Sequence, residues 1–204
     1  MGLRYGLTSN AEIYTRASYL YRDNRSSGLS GIENETTDQL VDSWLGLNYQ
    51  FSQDNETPAL LGFVEEALYE KHIKDTSSGK STLFGMTTYR AIDPIVLSLS
   101  TAYRWNQSRD DGDISYQPGN YLLFNPSLAF AVNDRITLTG GLQWINKKED
   151  RYNGAAQGFR RTSTDMRFGF GYGVAKGNTL NLSFNTAASG QNRADLRLNW
   201  LYAF

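Results

Sequence analysis

One pattern dominates this chain: short segments in which apolar and polar residues alternate strictly, again and again. The segment "ADLRLNWLYAF" puts Leu196, Leu198, Trp200, Tyr202 and Phe204 on one side, and Asp195, Arg197 and Asn199 on the other. Period two is the signature of a β-strand with two unlike faces. The same pattern recurs upstream. "DMRFGFGYGVA" sets Met166, Phe168, Phe170, Tyr172 and Val174 against Asp165, Arg167 and glycines, and "PIVLSLSTAYRW" sets Ile95, Leu97, Leu99, Tyr103 and Trp105 against Ser98, Ser100 and Arg104. "AEIYTRASYLYR", "SWLGLNYQF", "YLLFNPSLAFAV", "RITLTGGLQW" and "TLNLSFNTA" behave alike. The apolar face of such a strand has two possible surroundings, a protein core or a lipid bilayer.

The spacing of the segments chooses between them. Long polar stretches (23–39, 72–81, 106–120 and 147–162) separate every second pair of strands, and short ones (8–10, 53–58, 91–94, 132–135 and 175–178) fill the other gaps. Antiparallel strands joined in this way gather their turns at one end and their loops at the other, as outer-membrane barrels do. Aromatic residues fall near both ends: Tyr19, Tyr21, Tyr103, Trp105 and Trp144 toward the loops, and Tyr49, Phe51, Tyr172, Trp200, Tyr202 and Phe204 toward the turns. Two such girdles suit the two interfaces of a membrane. The polar faces carry Gly, Ser, Asn, Thr and Arg, with Lys nearly confined to loops, a set that suits an aqueous lumen.

Composition agrees without deciding. The hydrophobic content is 40% and the mean hydropathy −0.50, values that a barrel shares with soluble proteins because only alternate residues meet lipid. No run approaches the length of a helical span. The formal charge of −1 offers no field for nucleic acid, and the lack of cysteine excludes disulfides and thiolate metal sites. No metal-ligand spacing, phosphate loop or dinucleotide fingerprint occurs, so neither a metal nor a cofactor is expected. The start "MGLRYGLT" has neither the charged nor the apolar region of a secretory signal.

The expected fold is therefore all-β: one transmembrane antiparallel up-and-down barrel over residues 1–204, with short periplasmic turns and longer extracellular loops. Counting "GLRYGL" gives eleven strands. Barrels of this class usually have an even number, so ten or twelve are expected, closing between the first and last strands. The charged residues assigned to the lumen are Glu12, Arg16, Asp42, Arg90, Arg104, Asp165, Arg167, Asp195 and Arg197. They could line a mixed-charge pore, or pair with one another and fill it. Two irregularities stand out. Adjacent Glu65 and Glu66 would send one carboxylate to lipid unless a β-bulge intervenes, and Pro126 lacks an N–H for the ladder.

The C-terminal strand, through Trp200, Tyr202 and Phe204, resembles the signature by which Gram-negative outer-membrane proteins are recognised by their insertion machinery. "GLRYGLTSNAEIY", "TTYRAIDPIVLSLS" and "NPSLAFAVNDRITLTGGLQW" resemble barrel segments of bacterial channels that export functional-amyloid subunits, and of related channels linked to aromatic-compound degradation. The resemblance implies an outer-membrane channel, in contact with lipid and able to form homo-oligomers, that passes a polar polypeptide or small solutes. The exporters carry an N-terminal coiled coil and a plug helix, which this sequence does not show, so the likeness extends to the pore and not to gating. Two other readings are open. His72 with Asp75, Ser77 and Ser78 could form a hydrolase site, although a flexible polar run does not supply catalytic geometry. The polar stretch 24–37 could bind a surface partner.

Overall fold

The computed structural model describes residues 2–28, 31–71, 76–77, 79–111, 114–189 and 194–202, with side chains excepted over 20–39, 76–77 and at 111. It is all strand and turn over those residues. In chain order the strands are β1 (Gly2–Gly6), β2 (Ala11–Gly28), β3 (Gly31–Ser52), β4 (Ala59–Lys71), β5 (Thr76–Ser77), β6 (Ser81–Ile92), β7 (Ile95–Asn106), β8 (Arg109–Asp111), β9 (Ile114–Gln117), β10 (Tyr121–Ala131), β11 (Ile136–Lys147), β12 (Asp150–Tyr152), β13 (Ala155–Gln157), β14 (Arg161–Ala175), β15 (Asn178–Ser189) and β16 (Ala194–Tyr202). The wall follows the order β1-β2-β3-β4-β6-β7-β10-β11-β14-β15-β16, with β5 paired to β4. Every neighbouring pair is antiparallel, the up-and-down pattern expected of the barrel.

The wall is greasy outside. Leu122 and Phe124 are 42% and 43% exposed; their neighbours Leu97, Leu138, Phe168, Phe170, Leu182 and Phe184 lie on the same exposed face. No apolar centre compensates. Among the described residues the buried hydrophobics are Trp44, Ala59, Ala67 and Ala102. Because strand residues alternate sides, exposure of this row turns the Ser, Asn, Gly, Thr and Arg row inward. A soluble sandwich would reverse the arrangement.

Among the described residues no ladder joins β1 to β16. The path holds an odd number of strands, eleven, so β1 and β16 run in the same direction and a direct pair would be parallel. Their outward residues include Leu3, 78% exposed, and Trp200, 71% exposed. The long polar stretches are less irregular than the sequence suggested. Backbone pairing of β2 with β3 continues through Ser27↔Ile32 and Gly28↔Gly31, so much of 23–39 is hairpin. The stretches around 109–117 and 150–157 form a second sheet, in the order β13-β12-β9-β8.

Two irregularities set which side chains enter the lumen. On β4, Ser43 pairs with Tyr69 and Trp44 with Ala67, so Leu68 is an extra residue. This bulge lies beyond Glu65 and Glu66, not between them, and it corrects the expectation that both would turn inward. Glu65 is inward and buried, whereas Glu66 shares the side of Val64 and accepts a hydrogen bond from Thr82 Oγ1 at 2.6 Å. The bulge brings in Glu70 instead. Five positions separate Glu65 from Glu70, an odd step that regular alternation would send to opposite faces. At Pro126 the register is unbroken, but the pairs to β11 lapse between Phe124↔Trp144 and Ser127↔Gly141. That is the weak pairing a missing N–H predicts.

Candidate functional site: the inner wall

The inner wall has two stretches of different character. On β2, β3, β4 and β7 the side chains are large and mutually bonded. Trp44, 2% exposed, lies between the guanidinium groups of Arg16 at 4.7 Å and Arg104 at 4.8 Å. A cation over an indole face is attracted by the ring quadrupole, by about 1 kcal/mol or more where water is scarce. Each arginine also meets a carboxylate. Arg16 donates to Glu65 Oε2 at 2.6 and 3.0 Å, and the Tyr14 hydroxyl donates to Glu65 Oε1 at 2.6 Å. Arg104 donates to Glu70 Oε1 and to Asn106 Oδ1 at 2.9 Å. Gly46 lets the Tyr14 ring lie against the wall, since a Cβ there would fall 2.3 Å from the ring. Toward the turns a cavity of about 420 Å³ opens beside Tyr14, Asn48 and Phe63.

The loop sheet is tied into this cluster. Arg109 of β8, 7% exposed, donates to the other Glu70 oxygen at 2.7 Å and to Ser81 Oγ at 2.8 Å. Ser81 donates to Glu70 or Asn106, at 2.6 and 2.8 Å. Asn106 in turn donates to the Gly119 carbonyl at 3.1 Å and accepts from Gln117 at 2.7 Å. Farther out, the Asp150 carboxylate accepts from Gly119 N–H at 2.7 Å and pairs with Lys147 at 2.8 Å. Partial burial works against that carboxylate, but the Lys147 ammonium, the Gly119 N–H and the charge of Arg161 together hold it below the ordinary aspartate range. Tyr116 is pushed up by burial first and by the charge of Asp150 second.

The second stretch, on β10, β11, β14, β15 and β16, is lined by small groups. A cavity of about 410 Å³ lies against Asn125, Ser127, Gly141, Gly169, Ser183, Asn185 and the arginines Arg167 and Arg197. Arg197 pairs with Asp195 at 3.1 Å, and Asn185 donates to Asp195 at 2.9 Å.

The assigned lumen residues sort accordingly. Arg16 and Arg104 join the Trp44 cluster, and half-buried Asp42 lies near it in register, opposite Glu70. Glu12 accepts from Asn48 at 2.5 Å and pairs with Arg4 at 3.5 Å. Asp165 is buried, and Arg167, Asp195 and Arg197 line the second stretch. Arg90 does not join them. It has the parity of exposed Phe84 and Met86, and it donates to Asp54 at 3.1 Å and to the Asn55 carbonyl at 2.6 Å, at the turn end. Sequence reasoning missed Tyr14, Trp44, Glu70 and Arg109, and it singled out Glu65 only as one of an irregular pair. Trp44 was legible, since it shares the parity of Asn48 and Gln50, but a tryptophan reads as outward in such a strand.

Of the aromatics assigned to the membrane interfaces, Tyr19, Tyr49, Trp105, Trp200 and Tyr202 are exposed, while Tyr103, Trp144 and Tyr172 are half-buried. The Tyr21 side chain, Phe204, His72, Asp75, Ser78 and the Ser77 side chain lie outside the described residues.

A family model described as the MetA-pathway of phenol degradation matches residues 76–201, more than half of the sequence. The chain belongs to this family. The match falls on the aromatic-degradation side of the resemblance and not on the amyloid-exporter side. Among solved structures, an outer-membrane channel from Pseudomonas putida F1 superposes with a TM-score of 0.71 at 16% identity, over 98% of this chain and 79% of that one. The NanC porin superposes with a TM-score of 0.60 at 12% identity, over 100% of this chain and 97% of that one. No curated protein sequence matches the chain. These likenesses establish the fold, an outer-membrane-type up-and-down barrel wall.

Proposed function

We propose that this chain is a channel of the Gram-negative outer membrane that passes small hydrophilic solutes along its inner wall. The observation that carries the reading is the inversion of the wall: Leu and Phe on the exposed face, with Arg, Asn, Ser, Thr and Gly on the other. Outward apolar rows need lipid, and inward polar rows need water or solute. The two structural neighbours, titled an outer-membrane channel and a porin, support it, and the phenol-degradation family makes a solute of such a pathway the natural candidate. The Trp44 cluster fills part of the lumen with bonded side chains, which favours small solutes over an unfolded polypeptide of the exporter kind. Exposed aromatics near the strand ends would seat in the two interfaces, and Trp200, Tyr202 and Phe204 would serve the insertion machinery. No step here needs a catalytic group.

Reconstitution in a planar bilayer tests the reading. Discrete conductance steps, with heat-modifiable mobility on gels, are the expected result. A silent protein that stays soluble without detergent would end it.

A further inference from the structure

Arg167 differs from the other arginines described on the inner wall. Arg4 pairs with Glu12, Arg16 with Glu65, Arg104 and Arg109 with Glu70, and Arg197 with Asp195. Among the described residues Arg167 makes no ion pair or hydrogen bond, although it is half-buried. The register explains why. Its partner on β11 is Gly141 and its partner on β15 is Asn185, so neither neighbouring strand offers a carboxylate. Asp165, two positions along the same face, is buried and has a partner of its own. The guanidinium therefore borders the 410 Å³ cavity with its donors uncommitted.

We infer that this cavity is a subsite for a small hydrophilic carboxylate, bound by Arg167. A guanidinium keeps its charge at all working pH values, and its planar fork matches a carboxylate with two parallel N–H···O bonds. The rest of the lining completes the match. Asn125 and Asn199 offer amides, and Ser183 offers a hydroxyl, for polar atoms beyond the carboxylate, while Asn185 and Ser127 are bonded to Asp195 and Ser98. Asn125 Oδ1 is buried and accepts no hydrogen bond from the protein, so it is free to accept one from a solute hydroxyl. The lining beside Arg167 is of small residues, Ser127, Thr139, Gly141, Gly169 and Ser183, which leaves this part of the wall low and the guanidinium reachable. The other large cavity lacks the feature that decides the matter: its arginines, Arg4 and Arg16, are already neutralised by Glu12 and Glu65.

The inference rests on the channel reading for its biological sense, but a binding measurement tests it separately. Gluconate and sorbitol form a matched pair, alike in size and hydroxyls, of which only the first carries a carboxylate. Calorimetric titration of the detergent-solubilised protein should show gluconate binding and no sorbitol binding. Arg167→Gln should weaken gluconate by about tenfold or more, as loss of a charge-assisted bidentate contact requires. Arg90→Gln, altered at the turn end, should bind as the parent does. Asn185→Asp keeps Arg167 and places a carboxylate opposite it, so it too should abolish binding; it covers the case in which Arg167→Gln does not fold. Equal binding of sorbitol, or gluconate binding unchanged in both Arg167→Gln and Asn185→Asp, overturns the subsite. In bilayers, gluconate should block the potassium chloride current of the parent and spare that of Arg167→Gln. A silent bilayer with binding that depends on Arg167 would overturn the channel and leave the subsite standing.

Discussion

The Trp44 cluster and the Arg167 cavity lie on the same inner face and use the same kind of residue to opposite ends. Around Trp44, two arginines share one indole and each meets a carboxylate delivered by β4. Around Arg167, the cross-strand places hold a glycine and an asparagine. An inward arginine is thus a structural strut or a solute ligand according to what the register sets beside it. The Leu68 bulge belongs to that distinction, because without its change of parity Glu70 would point to the outer face and Arg104 and Arg109 would both lose their counter-charge.

The largest test of the contrast is therefore Glu70→Gln. It removes a carboxylate that serves two arginines, with Glu70 itself only 6% exposed. Breaking a buried pair by deleting one partner costs on the order of 3 kcal/mol. The midpoint of thermal unfolding in detergent, read by gel mobility, should fall well below that of the parent. Arg197→Gln, which unties an exposed pair on the open stretch, should move it little. Equal shifts would mean that the two stretches do not differ in packing.

Next comes Trp44→Ala. Removing the ring that two guanidiniums share should loosen the cluster and raise single-channel conductance several-fold. An unchanged conductance would place the constriction elsewhere on the wall. A gentler probe uses two inward glycines. Gly46→Ala puts a methyl 2.3 Å from the Tyr14 ring, whereas the same atom at Gly173 meets nothing closer than 3.7 Å. Overpacking costs about 1–3 kcal/mol, so Gly46→Ala should destabilise and Gly173→Ala should be close to neutral. The same melting assay reads both.

How much of this was legible in the sequence differs between the two faces. The outer face was read directly, because Leu, Phe and Tyr at every second position admit one strand parity, and the structure places Leu97, Leu122, Phe168 and Leu182 where alternation put them. The eleven strand segments counted in the sequence are the eleven of the wall among the described residues, and their antiparallel order followed from the spacing of turns. The inner face was read residue by residue but not as contacts. Which arginine meets which carboxylate depends on register across strands far apart in sequence, such as Arg16 with Glu65, and no local pattern carries it. Glu70 was invisible because a bulge changes parity without leaving a mark in composition. Arg90 was assigned with the inward charges, but its parity is that of exposed Phe84 and Met86, and Asp54 holds the guanidinium at the turn end. Folding of the loops into a sheet was missed because 109–117 and 150–157 are mostly polar and show no sustained alternation, and their pairing is with each other rather than with the wall.

The smallest expected effect concerns the tie between that loop sheet and the wall. Asp150 holds the Gly119 N–H, and Gly119 in turn accepts from Asn106 at the rim of the Trp44 cluster. Its carboxyl is held below the ordinary aspartate value, so the charged form stabilises the folded loop. A depressed folded-state pKa contributes stability that is complete above the unfolded value, near 4, and is lost as pH falls through the folded value. Between pH 8 and pH 5 the protection of the Gly119 amide should therefore stay constant, its exchange slowing only as base catalysis does. Below about pH 4 its protection should decline, and Asp150→Asn should show the reduced protection already at pH 7. Partial exposure of the Lys147–Asp150 pair keeps the effect modest. Protection that stays constant to pH 2 in the parent would show that the loop sheet is fixed by its backbone pairing and by Arg109, with Asp150 a bystander.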